Sequence, residues 1–216
     1  MIGPVMIGPS SSHTAGVVRI GRASLKLLGI RPDEAEIIFY NSFARTYEGH
    51  GSDRAIIAGL LDYKTDDKRI KDALDIAVKE GLTYKFKSIG NASALHPNTI
   101  RLTLTKGNKK IEVLGESKGG GLINIAEVNG FKADFSANLH TIVITAGDVK
   151  GSVAFLANVL AHDDCNIATM SVSRKGKNDV ACLVIEMDSG IKPVTLEYIR
   201  SLSWVKEVIY VPDIDK

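Results

Sequence analysis

Cysteine is scarce in this chain of 216 residues, which has only Cys165 and Cys182. The two read as reduced thiols in or near a core. They are too few to ligate a four-iron cluster, which takes four thiolates or close to it. Long apolar runs are also missing, and none approaches the roughly 20 residues that a membrane helix needs. The N-terminus carries Gly-Pro twice and no basic stretch before an apolar one, so it lacks the look of a signal peptide. Cytoplasmic residence is the resulting expectation. Charge of one sign is lacking as well: the net value is +2, which points to neither nucleic acid nor a membrane surface. The lysine-rich KGNKK at Lys106–Lys110 reads as a solvated hairpin turn. No G-x-S-x-G elbow is present, which argues against an α/β-hydrolase, and no internal repeat appears. What remains is an ordinary globular composition, 44% hydrophobic and 24% charged, long enough for one large or two small domains.

The C-terminal part has the clearest pattern. His140–Gly147 reads as a strand, and Gly151–His162 as a helix with Val153, Leu156, Ala157 and Leu160 on one face. Ile167–Arg174 and Val180–Met187 form a hairpin around a turn at 176–179. Pro193 opens a helix over Val194–Leu202, and Val205–Val211 closes as a strand. The order βαββαβ in under 80 residues predicts a ferredoxin-like domain over 139–216. The polar stretch 132–139 reads as a linker, which leaves 1–131 as a mixed α/β domain, so the expected class is α+β. Within it, Ala15–Leu28, Asp53–Leu61 and Arg69–Glu80 read as helices. Glu36–Tyr40, Tyr84–Ser88, Ile100–Thr105, Lys110–Gly115 and Leu122–Val128 read as strands. Gly16 and Gly21 weaken the first helix by up to ~1 kcal/mol each relative to alanine, and permit close backbone packing there.

Chemistry concentrates in GPSSSHTAG, Gly8–Gly16, where Ser10, Ser11, Ser12 and Thr14 flank His13 ahead of a helix. Free N–H groups and the dipole at such an N-terminus attract an anion such as a carboxylate, and histidine exchanges protons near neutral pH. A cap or surface histidine is the plain alternative. His50 lies between Gly49 and Gly51, with Ser52 placed to cap the next helix. His50 and Asp53 alone are too few for a protein-only metal site, so none is expected. His96 precedes Pro97 and is therefore extended, with Asn98 following. Ser42 and Arg45 lie between a strand and the His50 loop, and Arg45 reads as a carboxylate clamp or a surface ion pair. Gly119–Gly121 joins two strands rather than leading into a helix, so it reads as a turn and not a phosphate loop. His140 and His162 read as structural or solvent-exposed.

These segments carry a resemblance. GPSSSHTAG, the block TYEGHGSDRAIIAGLL at Thr46–Leu61, HPNT at His96–Thr99 and GESKGGG at Gly115–Gly121 resemble the beta subunit of iron–sulfur-dependent L-serine dehydratase. The residues Gly147-Asp148-Val149-Lys150-Gly151-Ser152-Val153 and Asn166-Ile167 resemble an ACT regulatory domain, with Lys150 where many ACT domains carry proline. The resemblance implies an allosteric-substrate-binding fold for the first domain. It also implies conversion of L-serine to pyruvate and ammonia without pyridoxal phosphate, at a site completed by an alpha subunit that holds a [4Fe–4S] cluster. Implied catalytic residues are His13 and His50; the sequence leaves open which is the base, with His50 slightly favoured and His13 then orienting or relaying the proton. Ser10, Ser11, Ser12, Thr14, Ser42 and Asn98 are the implied substrate contacts. Asp148, Gly151 and Asn166 are the implied contacts for an amino-acid effector, and pairing through the ACT sheets implies a homodimer. The other reading is a non-catalytic module that senses an amino acid, since the same two kinds of domain occur as regulatory appendages in 3-phosphoglycerate dehydrogenases.

Overall fold

The computed structural model describes residues 12–91, 94–177 and 179–215. Two compact units are present, the first ending at Gly130 and the second beginning at Phe131. Among the described residues no helix is long and apolar enough to cross a membrane.

The first unit contains, in order, α1 (Ser12–Leu28), β1 (Glu34–Tyr40), α2 (Asn41–Thr46), α3 (Ser52–Leu60), α4 (Ala73–Lys79), β2 (Thr83–Ile89), β3 (Thr99–Lys106), β4 (Lys109–Gly119) and β5 (Leu122–Val128). The strands line up as β2-β1-β3-β4-β5. The pair β1/β2 is parallel and the other pairs are antiparallel. Alternation decides the inner face: Ala35, Ile37 and Phe39 on β1, Ile100, Leu102 and Leu104 on β3, and Ile111 and Val113 on β4 are buried. Each large apolar side chain so buried contributes about 1.5–3 kcal/mol relative to exposure.

Helix α1 packs on that face and against α3. Two glycines set the distance between the helices. A Cβ on Gly59 would lie 2.2 Å from the Val18 carbonyl oxygen, and one on Gly21 would lie 2.6 Å from that of Ile56. The expected helix over 69–80 is shorter. A 3-10 turn at Lys68–Asp72 precedes α4, because the Asp67 carboxylate accepts the Arg69 N–H and tightens that turn. Helix α2 is an element that the sequence pattern does not reveal.

The second unit contains β6 (Phe131–Phe135), β7 (His140–Gly147), α5 (Ser152–His162), β8 (Ile167–Arg174), β9 (Val180–Met187), α6 (Pro193–Ser201) and β10 (Val205–Val211). Its four-stranded sheet runs β10-β7-β9-β8, fully antiparallel, which is the ferredoxin-like order. Ile142, Ile144, Leu183, Ile185, Leu156, Leu160 and Ile199 form the core between sheet and helices. The overall class is therefore α+β, as the sequence predicts.

The expected linker at 132–139 is a correction, since β6 occupies its first half. The segment is tied to the sheet face opposite the helices. Ser173 Oγ donates to the Lys132 carbonyl at 2.9 Å, and the Ser136 N–H and hydroxyl both donate to Glu186 at 3.1 Å. Thr169 Oγ1 donates to the other Glu186 oxygen at 2.8 Å, so this buried carboxylate is held by neutral donors. Short polar composition suggested a linker, but alternate residues of β6, Ala133 and Phe135, are buried.

Candidate functional site

The site is built at the N-terminus of α1. The helix starts at Ser12, three residues earlier than the expected Ala15, which puts His13 and Thr14 in its first turn. There the backbone N–H groups have no partner within the helix. Ser10 and Ser11 lie outside the described residues, and Ser12 is described only in its backbone.

The His13 ring is held on three sides. Its Nδ1 lies 3.0 Å from Ser117 Oγ, and its Nε2 lies 3.4 Å from Asn98 Nδ2. The edge of the ring meets Phe43 of α2, with centroids 6.1 Å apart at 87°. Ser117 is fully buried at an inward position of β4, and its N–H donates to the Asn98 carbonyl at 2.9 Å. Room for Ser117 exists because residue 16 is glycine: a Cβ there would lie 2.4 Å from Ser117 Oγ.

The turn that carries Asn98 is itself braced. Asn41 Nδ2 donates to the Leu95 carbonyl at 3.1 Å, and Thr99 Oγ1 donates to the His96 carbonyl at 2.7 Å. The Asn98 N–H donates to His96 Nδ1 at 3.2 Å, which requires that nitrogen to be unprotonated. Burial above all, then the Lys118 cation and nearby His13, holds His96 below the ordinary histidine range, with Glu116 opposing. The unfolded chain therefore binds a proton more readily than the fold does. The stabilising contribution of neutral His96 is complete above the ordinary value of about 6.5 and fades as pH falls below it. We expect wild type to lose more thermal stability between pH 8 and pH 5.5 than His96→Gln does, read as Tm by differential scanning fluorimetry. Equal losses in the two proteins would remove His96 from this role.

His50 reaches the same end of α1 through its backbone: Thr14 Oγ1 donates to the His50 carbonyl at 3.3 Å. Its side chain is exposed and meets no hydrogen-bond partner among the described residues. The expected Ser52 cap is a correction. Helix α3 begins at Ser52 itself, Gly51 takes the N-cap position with φ +69°, and no side chain caps it. A left-handed N-cap turns the loop sharply, which glycine permits without strain. Ser42 is exposed and lines an open cavity of about 540 Å³ with Asn41, Arg45, Thr46, Gly90 and Asn91. Its neighbour Phe43 is the residue that touches His13, because successive side chains on a helix diverge. Arg45 Nη2 faces Asn91 Oδ1 at 3.4 Å. The glycine run makes the β4–β5 turn, all three residues having positive φ, and Arg19 Nη1 donates to the Gly121 carbonyl at 2.6 Å.

The structure thus joins His13, Thr14 and Asn98, keeps the His50 backbone beside them, and ties the Ser42 N–H to the Pro97 carbonyl at 2.9 Å while Ser42 lines the open cavity next to that turn. Ser117, Phe43 and His96 complete the arrangement; Ser117 and Phe43 are not among the residues read from sequence, where His96 is weighed with Asn98. The signal for Ser117 is a hydroxyl at an inward position of an alternating strand, where an apolar residue is the norm.

The proposed effector contacts separate within one copy of the second unit. Asp148 and Gly151 lie beyond Gly147, which pairs with Val180, whereas Asn166 precedes Ile167, which pairs with Met187 at the other end of β9. Helix α5 spans the sheet and carries the chain from one end to the other, so one copy does not gather the three. Asp148 forms an ion pair with Arg174 at 2.9 Å, and Asn166 Nδ2 donates to Asp188 at 2.5 Å.

A metal cluster can be tested against the side chains present. Cys165 and Cys182 are both buried in the second unit. Burial pushes the Cys182 thiol up to about 11 and raises that of Cys165, so both disfavour the thiolate a metal needs. Among the described residues, no group of three or more His, Cys, Asp or Glu is placed to hold a metal ion. These residues do not fit an iron–sulfur cluster.

Comparison with known proteins follows the same residues. Positions 2–127 match the family model described as serine dehydratase beta chain. The chain is 44% identical over 213 residues to the probable L-serine dehydratase, beta chain, of Bacillus subtilis, covering 99% of this chain and 96% of that one. It is 32% identical over 196 residues to the L-serine dehydratase, beta chain, of Peptoniphilus asaccharolyticus, covering 90% and 87%. It is also 27% identical over 162 residues to D-3-phosphoglycerate dehydrogenase of Bacillus subtilis, covering 74% of this chain but 29% of that protein. A match that spans the His13, His50 and Asn98 segments, together with nearly end-to-end similarity to two such beta chains, leads to one conclusion: the chain belongs to the serine dehydratase beta chain family.

Proposed function

We propose that this chain is the beta subunit of an L-serine dehydratase and supplies half of its active site. The observation that carries the reading is the His13 ring, clamped by Ser117 and Asn98 in the first turn of α1, within a family of serine dehydratase beta chains. The N–H groups at the start of that turn, with the hydroxyls of Ser10–Ser12 that the sequence offers, bind the substrate carboxylate, while the Thr14 hydroxyl stays on the His50 carbonyl. His13 takes the α-proton. The electron pair left on Cα forms the Cα–Cβ double bond as the Cβ–O bond breaks; the β-hydroxyl takes up a proton, equivalent to the one removed, and leaves as water, giving aminoacrylate. Tautomerisation to the imine and addition of water then release pyruvate and ammonia. The choice of His13 as base reverses the order favoured by sequence, because a weakly acidic proton demands a base in fixed geometry. The exposed His50 ring lacks that restraint among the described residues. Its role becomes one of closing the site beside Thr14.

The cysteines of this chain do not fit the [4Fe–4S] cluster that the family resemblance implies. We assign that cluster to a partner alpha subunit, and no step described for this chain passes through it. The second unit is read as an ACT-type regulatory module that pairs into a homodimer and takes an amino-acid effector.

Reconstitution tests the reading. The purified chain alone should contain no stoichiometric iron–sulfur absorbance and turn over no L-serine, and activity should appear on mixing with alpha subunit. If alpha subunit alone already works at the full rate, the chain is instead an amino-acid-sensing module. The similarity to D-3-phosphoglycerate dehydrogenase favours that second reading. Isothermal titration with L-serine then separates a sensor from a scaffold.

A further inference from the structure

We infer that Ser117 is a positioning residue that fixes the tautomer of His13, so that Nε2 is the nitrogen that accepts the proton. The inference rests on the proposed role of His13 as base. Ser117 occupies a place where chemistry is costly. It is 0% exposed, it follows Ile111, Val113 and Gly115 along the inward face of β4, and Ile123 lies close by. The fold also makes room for it, since any side chain at position 16 would strike its Oγ. The partner it meets is His13 Nδ1 at 3.0 Å.

The two ring nitrogens therefore differ. Nδ1 points inward at a buried group set in a strand. Nε2 points at the Asn98 amide across a longer 3.4 Å contact, in half-buried surroundings on a turn. A substrate can displace Asn98 from Nε2, but it cannot reach Nδ1 without unseating Ser117. To take a proton, Nε2 must be bare, so the neutral ring carries its hydrogen on Nδ1 and donates it to Ser117 Oγ. An amide N–H of Asn98 facing Nε2 matches that assignment, a donor facing an acceptor. Which nitrogen of a histidine is protonated is set by the bond the other one makes. When the α-proton arrives at Nε2, the Nδ1–H bond to Ser117 persists, and the ring does not turn.

The test is nitrogen-15 NMR of the full chain labelled in histidine, with the His13 signals identified by their loss in His13→Gln. At pH 8 the wild-type shifts should report a protonated Nδ1 and a bare Nε2. In Ser117→Ala they should move toward the opposite tautomer. In the complex with alpha subunit, Ser117→Ala should then lose ~10²-fold or more in kcat, a loss within the range for an acid–base group, with KM changed less than about twofold. A wild-type ring protonated on Nε2, or a Ser117→Ala complex with wild-type kcat, overturns the assignment. The tautomer is read without turnover, so it stands or falls separately from the subunit reading, which fails only if the wild-type chain adds no activity to alpha subunit.

Discussion

In a complex reconstituted from this chain and alpha subunit, His13→Ala is expected to lower kcat by ~10²–10⁴, the usual range for loss of a positioned acid–base group. The effect should fall on kcat rather than KM, because the ring is assigned to the proton and the carboxylate to the N–H groups of the first turn. His50→Ala should cost less, since its contribution to the described site is a backbone carbonyl that alanine retains. The fold should survive His13→Ala: the ring is half-exposed, and Ser117 keeps its backbone bond to the Asn98 carbonyl. Circular dichroism and Tm close to wild type would confirm that the loss is chemical. Rates within a few-fold of wild type for the variant would remove His13 from proton transfer.

The largest effect on stability is expected at Gly59. Replacement by alanine improves intrinsic helix propensity by about 1 kcal/mol. Against that, the new Cβ would lie 2.2 Å from the Val18 carbonyl oxygen, 2.8 Å from Gly21 Cα and 2.9 Å from Arg22 N. All three are backbone atoms of α1, so no rotamer change relieves the clash, and the helices must move apart. Moving α1 also lifts its apolar side chains, such as Ile20 against Gly115, from the sheet. Overpacking against immovable atoms typically costs 1–3 kcal/mol, and we expect Gly59→Ala at or above the top of that range, about 3 kcal/mol net. Urea unfolding of the isolated chain measures it. A variant within about 0.5 kcal/mol of wild type would show that the helix pair is not set by this contact.

Much of the fold is legible along the chain because its signals are local. The strands β5, β7, β8, β9 and β10 lie where alternation and turn residues place them, and the order of elements identifies the ferredoxin-like unit. Gly16 and Gly21 show in the sequence that α1 approaches something closely. They do not show what, and the partners turn out to be Ser117 and Gly59, each on an element far away in the chain. Helix α2 escapes notice because six residues are too few to display a period. Segment 131–135 misleads because its burial depends on the sheet it lies against, not on its own composition.

For the site, the sequence by itself determined the chemical inventory: hydroxyls around one histidine ahead of a helix, a second histidine between glycines, and too few cysteines for a cluster. Those properties depend only on which residues are present and on their near neighbours. The tertiary structure decided which groups meet. It placed Asn98 and Ser117, 85 and 104 positions away in the chain, on either side of the His13 ring. It also bound the Ser42 backbone to the turn that carries Asn98 and parted Asp148 from Asn166. Such contacts depend on strand register and helix docking, which come from the packing of the whole inner face rather than from any one segment.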